Sequence, residues 1–439
     1  MIDPTFSDVD LRGTFEDAGY RYGRACAHLL ERARVSAYLA ELMPIVRTNP
    51  EHLAACAERW AGTLPAHYQL QLEAMASGAK VPGTLVRQWI YADIAAPAPA
   101  HVSAGDLSQP GAGRGPEMGP EVGPEMGPEV GAGSGAESAL GIGPGSSLGN
   151  GTGSVADVGR ERGAASQSPA RLIGEGGPLC SSAVVWDRPG EPVVARNCDW
   201  HTATLWRGTC VARHAVPGRI PIAAFGIMGD IDCDTGMNVE GLWLHMHTLL
   251  AHDEPRAGVS CISWLFWMRE ALETCASINE VEAFIARTDR DRGVMLIAAE
   301  GRGRGRAALF ECTRSTYRRI DPWDEPRGAS PRLVVTNHCR GKHPRGAELA
   351  ERPQRPGSTV TRYARLDELL DVAPPEPGHA DHDLQELLAD PLVEMRETCM
   401  SRSLRTIYSA VASPARGEVW FASGRVPAAS SGQWRLVRC

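Results

Sequence analysis

The sequence predicts a mixed α+β protein in which a helical N-terminal segment precedes a larger part built from strands. Apolar residues recur at helical spacing between residues 14 and 95, whereas short apolar runs separated by turn residues dominate after residue 178. The most regular of these runs lie between Cys180 and Trp200, where two stretches of strand length are joined by Pro189-Gly190. This pattern predicts a β-hairpin, which we call the central hairpin.

The composition fits a large globular protein. The chain has 439 residues, 43% of them hydrophobic, which is enough to bury a sizeable core. A net charge of −8 argues against a nucleic-acid partner. We expect a cytoplasmic protein without a membrane span, because no leader-like segment or bilayer-length apolar run is visible. The twelve cysteines form no C-x-x-C pair, so neither a metal site nor another cofactor is expected.

Residues 1–96 are predicted to form a helical segment. Thr14 has the side chain of a helix N-cap, and the acids Glu16 and Asp17 follow it in the first turn. Further helices are predicted over residues 51–62, 65–78 and 84–94.

Residues 97–172 have a different composition, rich in Gly, Pro, Ser, Ala and Glu. A four-residue period, Gly-Pro-Glu-Met or Gly-Pro-Glu-Val, runs from Gly115 to Val130, which excludes the three-residue period of collagen. Such a tract has too little apolar area to offset the entropy of ordering it. We therefore predict a disordered insertion here, followed by a catalytic part over residues 173–439.

The central hairpin carries chemical groups at both ends. Cys180 opens its first strand, while Arg196 and Asp199 close its second, so folding the hairpin brings all three together. A thiol beside a guanidinium and a carboxylate is a candidate nucleophile. The alternative is that Cys180 is a small buried hydrophobe, as most isolated cysteines are.

Later segments add polar groups at the ends of predicted elements. The turn Gly236-Met237-Asn238 leads into a strand over residues 242–249, and a strand from Leu333 ends at Asn337. Helices are predicted over residues 259–275 and 277–287 and from Ser358, which would cap the helix carrying Arg362. The remaining predicted strands are 208–215, 220–226, 293–299, 307–313, 315–320, 404–412, 417–423 and 433–438.

Taken in order, these segments resemble the cysteine-type N-terminal nucleophile hydrolases, namely the isopenicillin N acyltransferase-like family and the related choloylglycine hydrolases. The stretches Gly19-Tyr-Arg-Tyr-Gly23-Arg and Glu73-Ala-Met-Ala-Ser-Gly78 are similar to the prosegment of the former family. The resemblance implies a four-layer αββα sandwich with two antiparallel sheets between helical layers. It also implies self-cleavage between Leu179 and Cys180, after which the two chains stay associated.

The resemblance further implies roles for individual residues. Cys180 would be the nucleophile and its freed α-amine the base, with Arg196 and Asp199 orienting both. Asn337 would contribute to the oxyanion hole, and Arg362 would sit near the nucleophile. Asn238, His247 and Thr248 would belong to the substrate or oxyanion region. The implied substrate is a small-molecule linear amide or acyl donor, cleaved or transferred through a thioester.

Two other functions remain open from sequence. A metal-dependent hydrolase would use His245 and His247, which share one face of a strand, with Asp230, Asp232 and Asp234 nearby. A non-catalytic relic would keep the fold and lose self-processing. Four tryptophans either line an apolar pocket or fill the core: Trp200, Trp206, Trp243 and Trp264.

Overall fold

The computed structural model describes residues 6–46, 49–95, 179–200, 208–249, 251, 253–303, 305–322, 331–340, 358–396 and 404–439. All of these residues belong to one compact unit of the chain. The predicted disordered insertion, residues 97–172, lies outside the described residues. In the part of the chain that is described, no helix is long and apolar enough to cross a membrane.

The N-terminal segment is helical, as predicted. After an initial strand, β1 (Phe6–Arg12), its helices are α1 (Phe15–Cys26), α2 (Arg32–Val46), α3 (Pro50–Thr63), α4 (Ala66–Ala79) and α5 (Gly83–Ala95). Thr14 caps α1 through a reciprocal pair of hydrogen bonds with Asp17, so the predicted cap is confirmed. Gly23 and Gly78 allow α1 and α4 to touch, because a Cβ at either position would collide with the backbone of the other helix.

An eight-stranded sheet forms one inner layer, with strand order β1-β4-β5-β6-β7-β10-β11-β12. Its later strands are β4 (Thr209–Ala215), β5 (Ile222–Ile227), β6 (Thr235–Asn238), β7 (Leu242–Leu249), β10 (Gly293–Glu300), β11 (Arg306–Cys312) and β12 (Tyr317–Ile320). Neighbouring strands are antiparallel except for β1, which pairs parallel with β4 at the edge. The sequence analysis did not anticipate β1.

A six-stranded antiparallel sheet forms the other inner layer, with order β13-β2-β3-β14-β15-β16. Its strands are β2 (Leu179–Arg188), β3 (Glu191–Trp200), β13 (Leu333–Val335), β14 (Arg405–Ser413), β15 (Glu418–Ser423) and β16 (Gln433–Arg438). The central hairpin is therefore confirmed as β2 and β3, with β13 and β14 on either side. Pairing on both edges holds the hairpin rigidly inside the sheet.

Helices cover the outer face of each sheet. Helices α6 (Trp264–Thr274) and α7 (Ile278–Arg287) pack on the eight-stranded sheet, and α8 (Thr359–Val372) and α9 (Ala380–Leu388) pack on the six-stranded one. A short helix, α10 (Ala428–Ser431), packs near α9. The inner faces of the two sheets meet in the main hydrophobic core. The α+β fold with a four-layer αββα sandwich is thus confirmed.

One helix begins later than predicted. The expected start near residue 259 is wrong, because Cys261–Ile262 (β8) pairs with Asp289–Arg290 (β9) and α6 starts only at Trp264. The backbone N–H of Trp264 donates to the carboxylate of Asp291, 2.8 Å away. A long-range strand pair therefore overrides the helical periodicity of this stretch.

Candidate active site

The two faces of the central hairpin look into different environments. In the antiparallel register Cys180 lies opposite Cys198, and Ser182 lies opposite Arg196. Because side chains alternate along a strand, these four point into the space between the sheets. Asp199 lies on the opposite face, which packs against α8 and α9.

The Cys180 thiol is buried and surrounded by hydrogen-bond donors. The Nη2 atom of Arg196 lies 3.7 Å from its Sγ. A hydrogen bond from the Cys198 thiol lowers the pKa of Cys180 to about 6, helped by the Arg196 charge and the Asp199 backbone N–H and opposed by burial. This environment favours ionisation of Cys180 to the thiolate, which is the nucleophilic form.

Arg196 is held in place by groups outside the hairpin. Its Nη2 donates to Oδ2 of Asp234 at 3.0 Å, and Nη1 donates to the Asp234 carbonyl and the Thr235 hydroxyl. Tyr408 donates to Oδ1 of Asp234 at 2.7 Å. The carboxylate partner of Arg196 is thus Asp234.

The backbone of Cys180 is bound by Asn337 and Arg362. Its N–H donates to Oδ1 of Asn337 at 2.8 Å, and Arg362 donates to its carbonyl oxygen. Arg362 also donates to Oδ1 of Asn337 at 3.1 Å, while Nδ2 of Asn337 donates to the Thr248 carbonyl at 3.1 Å. Four predicted site residues, Cys180, Asn337, Arg362 and Thr248, are thus brought together.

Asp199 occupies a dry position beside these groups. Its Oδ1 accepts a 2.6 Å hydrogen bond from Thr406, and its Oδ2 lies 3.9 Å from Nη1 of Arg362 without a hydrogen bond. Burial raises the pKa of Asp199 to about 8, although Arg362 opposes the shift. With this pKa the Asp199 carboxyl group is mostly protonated at neutral pH.

Asn238 does not belong to the site. Its Nδ2 donates to the carbonyls of Leu272 and Cys275, and its Oδ1 accepts from the backbone N–H groups of Glu240 and Leu242. These four bonds use the whole capacity of the amide to tie the β6–β7 turn to the end of α6. The predicted role in the substrate or oxyanion region is wrong for this residue.

His247 and His245 form an ordered hydrogen-bond chain behind the nucleophile. Trp243 donates to Nδ1 of His245, so Nε2 of His245 carries the proton and donates to Ser182 at 2.7 Å. Ser182 in turn donates to Nε2 of His247 at 2.6 Å, whose Nδ1 donates to the Thr336 carbonyl at 2.9 Å. Burial and the Arg196 charge lower both histidine pKa values well below the usual range, so both rings are neutral.

This chain of hydrogen bonds bears on two predictions from the sequence, the role of His247 and the alternative of a metal site. It connects Ser182, which neighbours Cys180 on the same strand face, to Thr336, which precedes Asn337. His247 is fully buried and links Ser182 to the Thr336 carbonyl, and its place in the substrate or oxyanion region stays a prediction. The arrangement does not support the metal alternative, since no group of three or more potential ligands occurs among the described residues.

The tryptophans divide between cavity and core. Trp200 and Trp264 line a cavity beside Cys198, between the two sheets. Trp243 is fully buried against Phe225 and belongs to the core. Trp206 lies outside the described residues.

Sequence reasoning missed three residues that shape the site: Cys198, Asp234 and Tyr408. The alternation of side chains in the hairpin placed Cys198 on the same face as Cys180, so this signal was present. Asp234 was named only for the metal alternative and not as a partner of Arg196, and Tyr408 comes from a strand far away in sequence that no local pattern marked.

Replacing Cys198 with Ala is expected to raise the Cys180 pKa by roughly one unit, because a hydrogen bond of about 1 kcal/mol corresponds to that shift. The measurement is the pH profile of Cys180 alkylation by iodoacetamide, followed by peptide mass spectrometry. Cys198→Ser keeps a donor and should retain most of the wild-type profile. Identical profiles for Cys198→Ala and wild type would show that this thiol does not activate Cys180.

The fold and the position of the thiol define the class of protein. A four-layer αββα sandwich with a cysteine at the start of a central strand is the architecture of N-terminal nucleophile amide hydrolases and acyltransferases. The chain belongs to the acyl-coenzyme A:6-aminopenicillanic acid acyl-transferase family, whose model matches residues 186–426. The matched range includes Arg196, Asp199, Asn337 and Arg362 and begins six residues after Cys180.

Comparison with solved structures finds distant relatives. A mutant conjugated bile acid hydrolase from Clostridium perfringens is 13% identical, with 60% of this chain and 97% of that chain covered and a TM-score of 0.39. The N-acylethanolamine-hydrolyzing acid amidase ortholog of Caenorhabditis elegans is 18% identical, with 54% of this chain and 93% of that chain covered and a TM-score of 0.38. Penicillin V acylase from Agrobacterium tumefaciens is 14% identical, with 56% of this chain and 83% of that chain covered and a TM-score of 0.39. A search of curated proteins found no match.

Proposed function

We propose that this chain is a self-processing cysteine N-terminal nucleophile enzyme that hydrolyses linear amides or transfers their acyl group to an amine. The observation that carries the proposal is the environment of Cys180. Its thiol has a lowered pKa beside Arg196, and its backbone N–H is already bound to Asn337. A structural cysteine needs neither feature, since burial alone would raise its pKa.

Self-processing would begin with attack of the Cys180 thiolate on the carbonyl carbon of Leu179. The new C–S bond forms as the Leu179–Cys180 C–N bond breaks, and the released nitrogen takes up a proton. Asp199 lies opposite Leu179 in the β-ladder and is protonated at neutral pH, which makes it a suitable proton source. Water then hydrolyses the thioester and leaves Cys180 with a free α-amine.

Amide turnover would use the same groups in a second cycle. The α-amine, held by Asn337 Oδ1, takes the thiol proton and later returns it to the leaving amine. Asn337, with Thr248 beside it, is proposed to stabilise the oxyanion of the tetrahedral intermediate, and the contacts of Asn337 with both Cys180 and Thr248 support this role. Arg362 would hold these groups in position, because it donates to both the Cys180 carbonyl and Oδ1 of Asn337.

The two chains produced by cleavage are proposed to stay together. Helices α1 and α4 pack closely on one another, and Tyr22 of α1 donates to the Asp230 carbonyl of the catalytic part at 2.9 Å. Gln71 of α4 accepts from the fully buried Arg269 of α6 at 2.8 Å. Separating the two chains would break these buried hydrogen bonds, which costs free energy. We propose a small-molecule substrate and a cytoplasmic location for the assembled enzyme.

Alkylation and thioester trapping test the proposal. Iodoacetamide should abolish hydrolysis of acyl p-nitroanilides in step with modification of Cys180, while a metal chelator should leave the rate unchanged. Acid quenching during turnover should reveal the fragment that begins at Cys180 with one acyl group added. Full hydrolysis by enzyme whose Cys180 is completely alkylated would refute the proposed nucleophile.

A further inference from the structure

The cavity beside Cys198 is acidic. It is bounded by β3, β4 and β5, by the loop before β6 and by the start of α6. Three of its lining residues are aspartates, Asp230, Asp232 and Asp234, and among the described residues that line it none is Lys, Arg or His. Because Cys198 is the direct cross-strand partner of Cys180, this cavity reaches the immediate neighbourhood of the nucleophile.

The three aspartate side chains differ in the hydrogen-bond donors that they have. Asp234 accepts from Arg196 and Tyr408, and Asp230 accepts from the Trp89 indole at 3.0 Å. Asp232 is only 8% exposed, and its Oδ2 has no hydrogen-bond donor. A buried carboxylate oxygen without a donor costs about 1–3 kcal/mol or more, so it requires an explanation.

The buried Arg269 does not donate a hydrogen bond to Oδ2 of Asp232. Arg269 acts on Asp232 only through its charge, since its guanidinium donates to Glu273 at 2.9 Å and to Gln71 at 2.8 Å. Burial raises the pKa of Asp232 well above its usual range, and Asp230 and Asp234 add to the shift. The neutral carboxyl form of Asp232 is therefore favoured, and its ionised form requires a positive charge that a ligand would have to supply.

The walls of the cavity suit an organic cation. Trp200, Phe225, Trp264 and Tyr408 line it together with the three aspartates. Aromatic faces attract ammonium groups, with a stabilisation of about 0.5–2 kcal/mol that grows as the cation is desolvated. A cavity with aromatic walls and a buried carboxyl group whose Oδ2 has no hydrogen-bond donor suits an alkylammonium, which can ionise that group and donate to it, better than a neutral alkyl chain.

We propose that this cavity binds a protonated primary amino group of the substrate against Asp232. The inference rests on the proposed role of Cys180 and adds the substrate class: amides or acyl donors that carry an alkylammonium. Ionised Asp232 then gains the donor it lacks, and the aromatic walls enclose the methylene groups. Specificity follows, because a neutral substrate would leave the carboxyl group without a partner.

Ligand binding tests this without any catalysis. Full-length Cys180→Ala protein is titrated calorimetrically with pentylammonium and with 1-pentanol, which have the same chain length. We expect pentylammonium to bind at least tenfold more tightly, and Asp232→Asn in the same background to remove the difference. Asp10→Asn, which removes an exposed acid paired with Arg12, should leave the preference unchanged.

Equal binding of the two ligands by the folded Cys180→Ala protein would overturn the inference, as would an undiminished preference in a folded Asp232→Asn variant. If Asp232→Asn does not fold, the comparison of the two ligands still decides. With active enzyme, we compare kcat/KM for 6-aminohexanoyl p-nitroanilide and hexanoyl p-nitroanilide, which tests whether the charge is recognised on the acyl side. The same comparison of N-hexanoyl-1,4-diaminobutane with N-hexanoylbutylamine tests the amine side. In one of the two pairs we expect kcat/KM to be tenfold higher for the charged substrate.

The same experiments separate the inference from the proposed function. Preferential binding of pentylammonium without cleavage of any amide would contradict the proposed chemistry and leave the cation site intact. Cleavage of neutral and cationic amides at equal kcat/KM would contradict the cation site and leave the nucleophile intact.

Discussion

Asp199→Asn is expected to slow amide turnover by about two orders of magnitude, the usual scale for a misplaced proton-transfer group. The substitution preserves shape and the hydrogen bond from Thr406, so the protein should fold normally. It removes the proton that the Asp199 carboxyl carries at neutral pH and the charge available to the new α-ammonium after cleavage. The measurements are kcat on an acyl p-nitroanilide and the half-life of self-cleavage.

The pH dependence of stability provides a second readout for Asp199. Since its folded pKa is about 8 and its usual value is 3.8, the native chain holds a proton that the unfolded chain releases between these values. The contribution to stability is thus fully present below about pH 4 and lost as pH rises through 8. In a Cys180→Ala background, Asp199→Asn should therefore flatten the decline of the melting temperature between pH 5 and 9.

Asp187→Asn is the matched control, because it makes the same change in the same hairpin. Asp187 is buried near the β2–β3 turn, where Oδ1 accepts from the Gly378 N–H at 2.7 Å and Oδ2 lies 3.4 Å from Arg416. We expect about 1–3 kcal/mol of lost stability and unchanged kcat. A sensitive Asp187 and a silent Asp199 in the activity assay would show that the site assignment is wrong.

Arg362→Ala should abolish processing and lower the free energy of unfolding by about 3–5 kcal/mol, the usual cost of removing one partner from a buried charged network. Its side chain is fully buried and donates to the Cys180 carbonyl, the Ser181 hydroxyl and Asn337. Arg362→Lys keeps the charge but cannot donate in a fork, so partial stability without processing is expected.

Arg365→Ala, three residues further along α8, is the control for Arg362. Arg365 pairs with Asp390 at 2.8 Å and Glu368 at 3.0 Å and is partly exposed. Exposed pairs contribute about 0–1 kcal/mol, so this variant should process at the wild-type rate. Denaturant titration and timed gel analysis of both variants provide the comparison, and equal losses in the two would contradict a specific role for Arg362.

Local patterns predicted the parts of the site that local sequence determines. Ser358 caps α8, so the position of Arg362 followed from a cap and a helix, and Asn337 followed from the end of a strand. The partner of Arg196 did not follow, because Asp234 lies 38 residues away and reaches the guanidinium only when the two sheets meet. The raised pKa of Asp199 could not be predicted from the sequence either, because it depends on burial by segments that come later in the chain.

The layered fold was predicted through resemblance more than through periodicity. Strand lengths and hairpin turns indicated most of the strands, whereas the pairing of β13 beside β2 and of β14 beside β3 joins segments far apart in sequence. Hydrophobic spacing does not encode such long-range pairing. The parallel strand β1 was missed for the same reason, because its partner β4 lies about two hundred residues away.

Intact-mass measurement of the purified full-length protein tests the central claim most directly. We predict two chains, residues 1–179 and 180–439, whose masses sum to that of the precursor plus one water, and they should co-elute in native size-exclusion chromatography. Cys180→Ala should give one uncut chain with the precursor mass. A single uncut wild-type chain after prolonged incubation, with the same mass behaviour as Cys180→Ala, would contradict self-processing at Leu179–Cys180.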